Sequence, residues 1–211
     1  MVLTQKIKQR VLWWLIFSSA LIPVIILTVG AVQQNLGADP AKVIVLELGV
    51  WALNFLWVSL AITPIRKLFG WKSLAKYRRM MGLYSFFYLT LHILAFTTFI
   101  VGWQISILVT EITERPYAIV GFIAFLLLLP LAITSTKAMQ KRLKKNWLSL
   151  HKLVYAVSLL ALLHIVWQIR SDYSEALVYG LILSWLLGYR YYKKLAANRA
   201  RDFKKNVATH N

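Results

Sequence analysis

No cysteine occurs among the 211 residues, which removes disulfides, thiolate nucleophiles, cysteine zinc sites and iron–sulfur ligation together. Acidic side chains are scarce as well. Seven Asp and Glu stand against 25 Lys and Arg, for a formal charge of +18. In a soluble chain such a surplus points to nucleic acid. Here no nucleic-acid partner is expected, because the basic residues fall between apolar runs, the pattern that orients membrane proteins. With 59% hydrophobic residues, a soluble globular domain is excluded. Histidines are few, yet His92 and His164 each sit inside a long apolar run, where an imidazole is costly and needs a partner.

Crossing about 30 Å of hydrocarbon takes roughly 20 helical residues. Six segments come near that length, about 11–32, 43–62, 81–101, 116–133, 152–168 and 176–192. The expected fold is therefore an all-α integral membrane protein, a single transmembrane domain over 1–211 with six helices. Lys6, Lys8 and Arg10 precede the first run, which is read as a retained helix because it exceeds a signal-peptide core. All Lys and Arg except Lys42, Arg115 and Arg170 fall in the amino-terminal end, the 63–80 and 134–152 loops and the tail. That puts both termini in the cytoplasm. Asp39, Glu47, Glu111, Glu114, Asp172 and Glu175 fall at or near the outer face, and only Asp202 falls inside.

The connections leave no room for a further domain. Residues 33–42 form a turn around Gly37 and Asp39-Pro40. Residues 103–112 are too short to span and are expected along the outer surface, with Trp103 at the interface. Thr63-Pro64 and Arg115-Pro116 read as helix boundaries, and Pro130 as a kink within the fourth helix. No internal repeat is visible.

Helices three and five both run outward, so distance from their basic ends measures depth. His92 lies 11 residues past Met81 and His164 lies 12 past Lys152, about 16 and 18 Å deep at 1.5 Å per residue. The two are level. One such histidine alone is more often a hydrogen-bonded core residue; two at one depth fit a shared ligand. Zinc wants four ligands and finds no carboxylate or thiolate there. Copper finds no Met or Cys at that level. Haem iron between helices three and five, with two axial imidazoles, is the simplest occupant. Nearby Phe86, Phe87, Tyr88, Phe96 and Tyr155 are read as core.

His151 stands 13 residues from His164, about 20 Å along a helix and about 220° around it, so the two cannot hold one ion. It suits either a second cofactor near the inner face or a solvated interfacial residue. The offset that relates His164 to His92 carries His151 to Arg79, which cannot ligate iron. Arg78 or Arg79 is instead a candidate partner for haem propionates, and Met80 a candidate sulfur ligand.

The stretches LGADPAK (36–42), ITPIRK (62–67), RRMMGLYSFFYLTLHILAF (78–96), ERPYAIVGF (114–122), LAITSTKAMQKRLKKNWLSLHKLVY (131–155) and LLHIVWQ (162–168) together resemble the MsrQ family. These are haem-binding membrane subunits of bacterial periplasmic methionine sulfoxide reductase systems. More widely they are similar to ferric-reductase-like transmembrane domains. The resemblance implies an inner-membrane subunit carrying one or two b-type haems on His92, His164 and His151. It also implies bound FMN, for which no motif is found here. The implied route takes electrons from the quinone pool or a cytoplasmic flavin reductase to a periplasmic molybdopterin subunit, which reduces methionine sulfoxide in oxidised envelope proteins. Two-haem members of the wider group have a histidine where this chain has Arg79. The expected role is electron transfer beside a catalytic subunit, with lipid around it. The alternatives are a ferric- or quinone-linked reductase with another partner, a membrane anchor, or a proton-coupled transporter, the last disfavoured by the lack of a mid-membrane carboxylate.

Overall fold

The computed structural model describes residues 2–169 and 171–209; Arg170 and His210 lie outside the described residues. Among those described there is no strand. Five helical stretches are long and apolar enough to cross a membrane: Thr4–Val32, Pro40–Phe69, Lys72–Val101, Pro116–Ile133 and Lys145–Gln168. The first five expected crossings fall within them, with shifted ends.

The first crossing is broken. It consists of α1 (Val2–Ser19) and α2 (Ile22–Val32), parted at Ala20 and Leu21. Pro23 explains the break, since it has no N–H to offer the Ser19 carbonyl. Leu21 N–H turns to Ser18 O instead of Phe17 O. Two tyrosines repair the damage. Tyr84 donates its hydroxyl to Phe17 O at 2.7 Å, and Tyr88 donates to Ala20 O at 2.8 Å while accepting from Val24 N–H at 3.3 Å. Tyr88 is fully buried and stacks on Phe55. Tyr88→Phe strands both backbone groups in a dry core. It should lower stability by about 1–3 kcal/mol, read as the thermal unfolding of detergent-solubilised protein, and Tyr84→Phe should cost less because it strands one.

α3 spans Pro40–Phe69. Asp39 caps its start by accepting from Lys42 N–H, and Gly70 ends it in the left-handed region at φ 70. The boundary expected at Pro64 is wrong: the helix runs through it. Pro64 deprives the Leu60 carbonyl of its donor, and a guanidinium N–H of Arg190, from α10 (Ser174–Thr209), supplies a replacement. α10 is tied to α3 elsewhere too, by Trp57 Nε1–H to Tyr179 O (3.1 Å) and Tyr179 hydroxyl to Asn54 Oδ1 (2.9 Å). α10 is not among the five apolar stretches. Its apolar part is bounded by Glu175 and Arg190 and interrupted by Tyr179, Gly180, Ser184, Trp185 and Gly188.

After a 3-10 turn at Lys72–Leu74, α4 covers Ala75–Ala95, starting earlier than expected, and passes into a π-helical stretch at Phe96–Val101. Gly102 and Trp103, both at positive φ, turn the chain into α5 (Ile105–Glu114), so the connection expected only to be too short to span is itself helical. α6 (Pro116–Ile133) begins with Pro at its first position, as Arg115-Pro116 indicates. The expected 134–152 loop is largely helical, with α7 (Lys137–Leu143) and α8 (Lys145–Leu150) leading to α9 (Leu153–Gln168).

α3 packs most extensively on α4, and α6 on α9. These two hairpins share one register. Buried Ala52, Leu56 and Ser59 of α3 recur 72 positions later as buried Ala124, Leu128 and Leu131 of α6, and buried Ser85 of α4 as buried Val157 of α9. The chain thus contains a structural repeat that its residue types only partly show: Ala52 and Leu56 recur as Ala124 and Leu128, while Ser59 and Ser85 give way to Leu131 and Val157.

Candidate histidine-pair site

His92 on α4 and His164 on α9 come together, with ring centres 6.3 Å apart and ring planes at 89°. Each is held in the same way by its own hairpin. His92 Nδ1 lies 2.8 Å from Val45 O on α3, and His164 Nδ1 lies 2.7 Å from Tyr117 O on α6; both contacts span 47 residues of sequence. A carbonyl only accepts, so each Nδ1 carries the proton and each Nε2 keeps its lone pair. This is the arrangement in which outer-shell carbonyls fix a metal-ligating tautomer.

One helical turn beyond each carbonyl stands a glycine against the ring. A Cβ at Gly49 would sit 3.0 Å from His92 Nδ1, and one at Gly121 would sit 2.7 Å from His164 Nδ1. Gly49 and Gly121 are again 72 positions apart. The sequence reasoning missed these glycines and the Val45 and Tyr117 carbonyls. Their signal was available, since each glycine precedes its histidine by the same interval.

Two imidazoles are too few to hold a bare ion, and among the described residues no group of three or more His, Cys, Asp or Glu gathers at a metal site. The donor set fits a metal whose other ligands come from a planar macrocycle. Ring centres 6.3 Å apart leave the two imidazoles close enough to share one such metal.

His151 lies elsewhere and is held differently. At the C-terminal end of α8 it stacks on Trp147 (ring centres 4.0 Å) and its Nε2 lies 3.2 Å from Thr134 Oγ1. The Thr134 hydroxyl donates to Pro130 O at 2.6 Å, and Trp147 Nε1–H donates to Thr134 O at 2.9 Å. With its proton committed, the Thr134 oxygen accepts from His151 Nε2–H. The free nitrogen of His151 is therefore Nδ1, opposite to the other pair.

Arg78 and Arg79 part company. The Arg78 carbonyl accepts from Ser59 at 3.1 Å, and its guanidinium is within electrostatic reach of His151 and Arg190. Arg190 itself lies over the Tyr155 ring. Arg79 and Lys76 instead line a groove of about 550 Å³ between α1 and α4, with Trp13, Phe17 and Met80. Met80 is buried there in the core around Tyr84 and Tyr88.

Residues 45–162, which carry His92, both glycines and both carbonyls, match the family described as ferric reductase like transmembrane component. That places the chain in a class of helical membrane proteins. Several curated proteins called protein-methionine-sulfoxide reductase heme-binding subunit MsrQ are similar to it. One from Xanthomonas oryzae is 48% identical over 169 residues, 80% of this chain and 78% of that protein. One from Xanthomonas euvesicatoria is 48% identical over 167 residues, 79% and 77% of the two chains. One from Polaromonas naphthalenivorans is 40% identical over 190 residues, 89% and 87%. No solved structure matches. The chain belongs to the MsrQ family.

Proposed function

We propose that the protein is a b-type cytochrome subunit of the bacterial inner membrane. Haem bound between His92 and His164 would supply one-electron chemistry, taking electrons from the quinone pool or a cytoplasmic flavin donor for a periplasmic molybdopterin methionine sulfoxide reductase. The observation that carries this is the matched pair of imidazoles, each tied at Nδ1 to a carbonyl and 6.3 Å from the other.

The chain's own residues do three things in this reading. Val45 and Tyr117 orient the ligands and raise their basicity through the Nδ1–H bonds. The apolar residues of α3, α4, α6 and α9 exclude water and lower the dielectric, which sets the potential of the centre. Arg78, and Arg79 from the groove between α1 and α4, would offer positive charge for propionates near the inner end, where His151 would serve a second haem or a flavin such as FMN through its free Nδ1. Reduction of the sulfoxide occurs on the partner, since the short outer connections build no substrate pocket. α10 makes the sixth crossing, both termini stay in the cytoplasm, and the exposed apolar faces meet lipid.

The test is the reduced-minus-oxidised absorption spectrum of purified protein with haem quantified per chain. A low-spin bis-imidazole b-type spectrum at one haem per chain supports the reading, and two per chain gives His151 a second centre. A colourless protein after expression with haem supplied would overturn it in favour of an anchor or transporter.

A further inference from the structure

The two hairpins hold their histidines alike, but only one of them ties its histidine to the protein surface. At position 45 the carbonyl belongs to a valine, whose side chain ends in the apolar core. At the matching position 117 it belongs to a tyrosine. The Tyr117 ring packs edge-on against His164, 5.9 Å between centres, and its hydroxyl accepts from Arg115 Nη1–H at 2.9 Å. Arg115 in turn pairs through Nε with Glu111 Oε2 at 3.0 Å, with Glu111 largely covered and Arg115 half exposed. A continuous set of contacts, an ion pair, a hydrogen bond and a ring contact, therefore runs from α5 through the start of α6 to the His164 ring. Nothing comparable among the described residues reaches His92.

We propose, resting on the haem reading above, that Tyr117 is a positioning residue for His164 and that the Arg115–Glu111 pair braces it. The physical argument is geometric. Tyr117 stands next to Pro116, at the first turn of α6, where a helix end is loose because its first N–H groups lack helical partners. A carbonyl placed there holds an imidazole steady only if the turn itself is fixed. The hydroxyl clamp to Arg115 fixes it, and the charge-assisted bond from the guanidinium is of the strong kind. Val45 needs no clamp, since it lies more than a turn inside the thirty-residue α3.

Tyr117→Phe keeps the ring and the carbonyl and removes only the clamp; Arg115→Gln removes it from the other side. Both variants should retain haem at the wild-type level while shifting its midpoint potential by the equivalent of about three- to tenfold in the reduction equilibrium, tenfold being 59 mV for one electron. The low-spin electron paramagnetic resonance g values, which follow the orientation of the imidazole planes, should move with it. The double variant should shift no further than either single one, as expected of residues acting in one chain of contacts. Unchanged potential and g values in Tyr117→Phe, on a wild type with a normal low-spin spectrum, would overturn this inference and leave the haem reading standing. A wild type without that spectrum would overturn both.

Discussion

His92→Ala and His164→Ala should each abolish the low-spin haem spectrum. Cutting away an outer-shell partner costs a metal site about 10–100-fold in affinity, and removing one of only two protein ligands must cost more. Haem per chain should fall at least that far in either variant. The two losses should be similar, because each ring is held by an equivalent carbonyl and backed by a glycine. The space left beside Gly49 or Gly121 should admit free imidazole, so millimolar imidazole should restore part of the low-spin signal. A merely destabilised bundle would not respond. His151→Ala is the contrast, since His151 bonds to Thr134 and stacks on Trp147 away from the pair; the His92/His164 signal should survive it. Full haem with an unaltered spectrum in His92→Ala would refute the axial assignment.

The sequence displayed the helices, because hydrocarbon imposes a length and an apolar composition that few other structures share. It displayed the meeting of His92 and His164 as well, since depth along two parallel helices is a count of residues. Three features were hidden from it. The break at Pro23 was missed because the run around it stays apolar, and Pro64 was read as an end because its replacement donor, Arg190, lies 130 residues away. The repeat escaped because its identical pairs, such as Ala52 with Ala124 and Leu56 with Leu128, are scattered among exchanged ones: Ser59 becomes Leu131 and Val45 becomes Tyr117 at equivalent places. The expected sixth crossing, over α10, lies between these cases, since α10 is not among the five apolar stretches. Its apolar stretch is diluted by tyrosine, tryptophan and glycine, and the polar groups among them, such as Tyr179, bond to α3 rather than to lipid.

Gly121→Ala should be the more damaging of the two substitutions at the glycines beside the histidine pair. The added carbon would lie 2.7 Å from His164 Nδ1 and 2.8 Å from its Cε1, distances that no relaxed contact permits. The ring cannot retreat and keep its bond to Tyr117 O, because that bond and the clash involve the same nitrogen. Either the imidazole swings away and loses its carbonyl, or α6 and α9 separate. The first outcome removes the outer-shell partner and should lower haem affinity about 10–100-fold; the second costs about 1–3 kcal/mol of overpacking. Gly49→Ala meets His92 at 3.0 and 3.1 Å, so a few tenths of an ångström of adjustment suffices and the loss should be smaller. Haem titration of the two purified variants reads the difference. Equal, wild-type affinity in both would show that the glycines merely ease helix packing; a larger loss at Gly121 would show that the space they leave is shaped for the imidazoles.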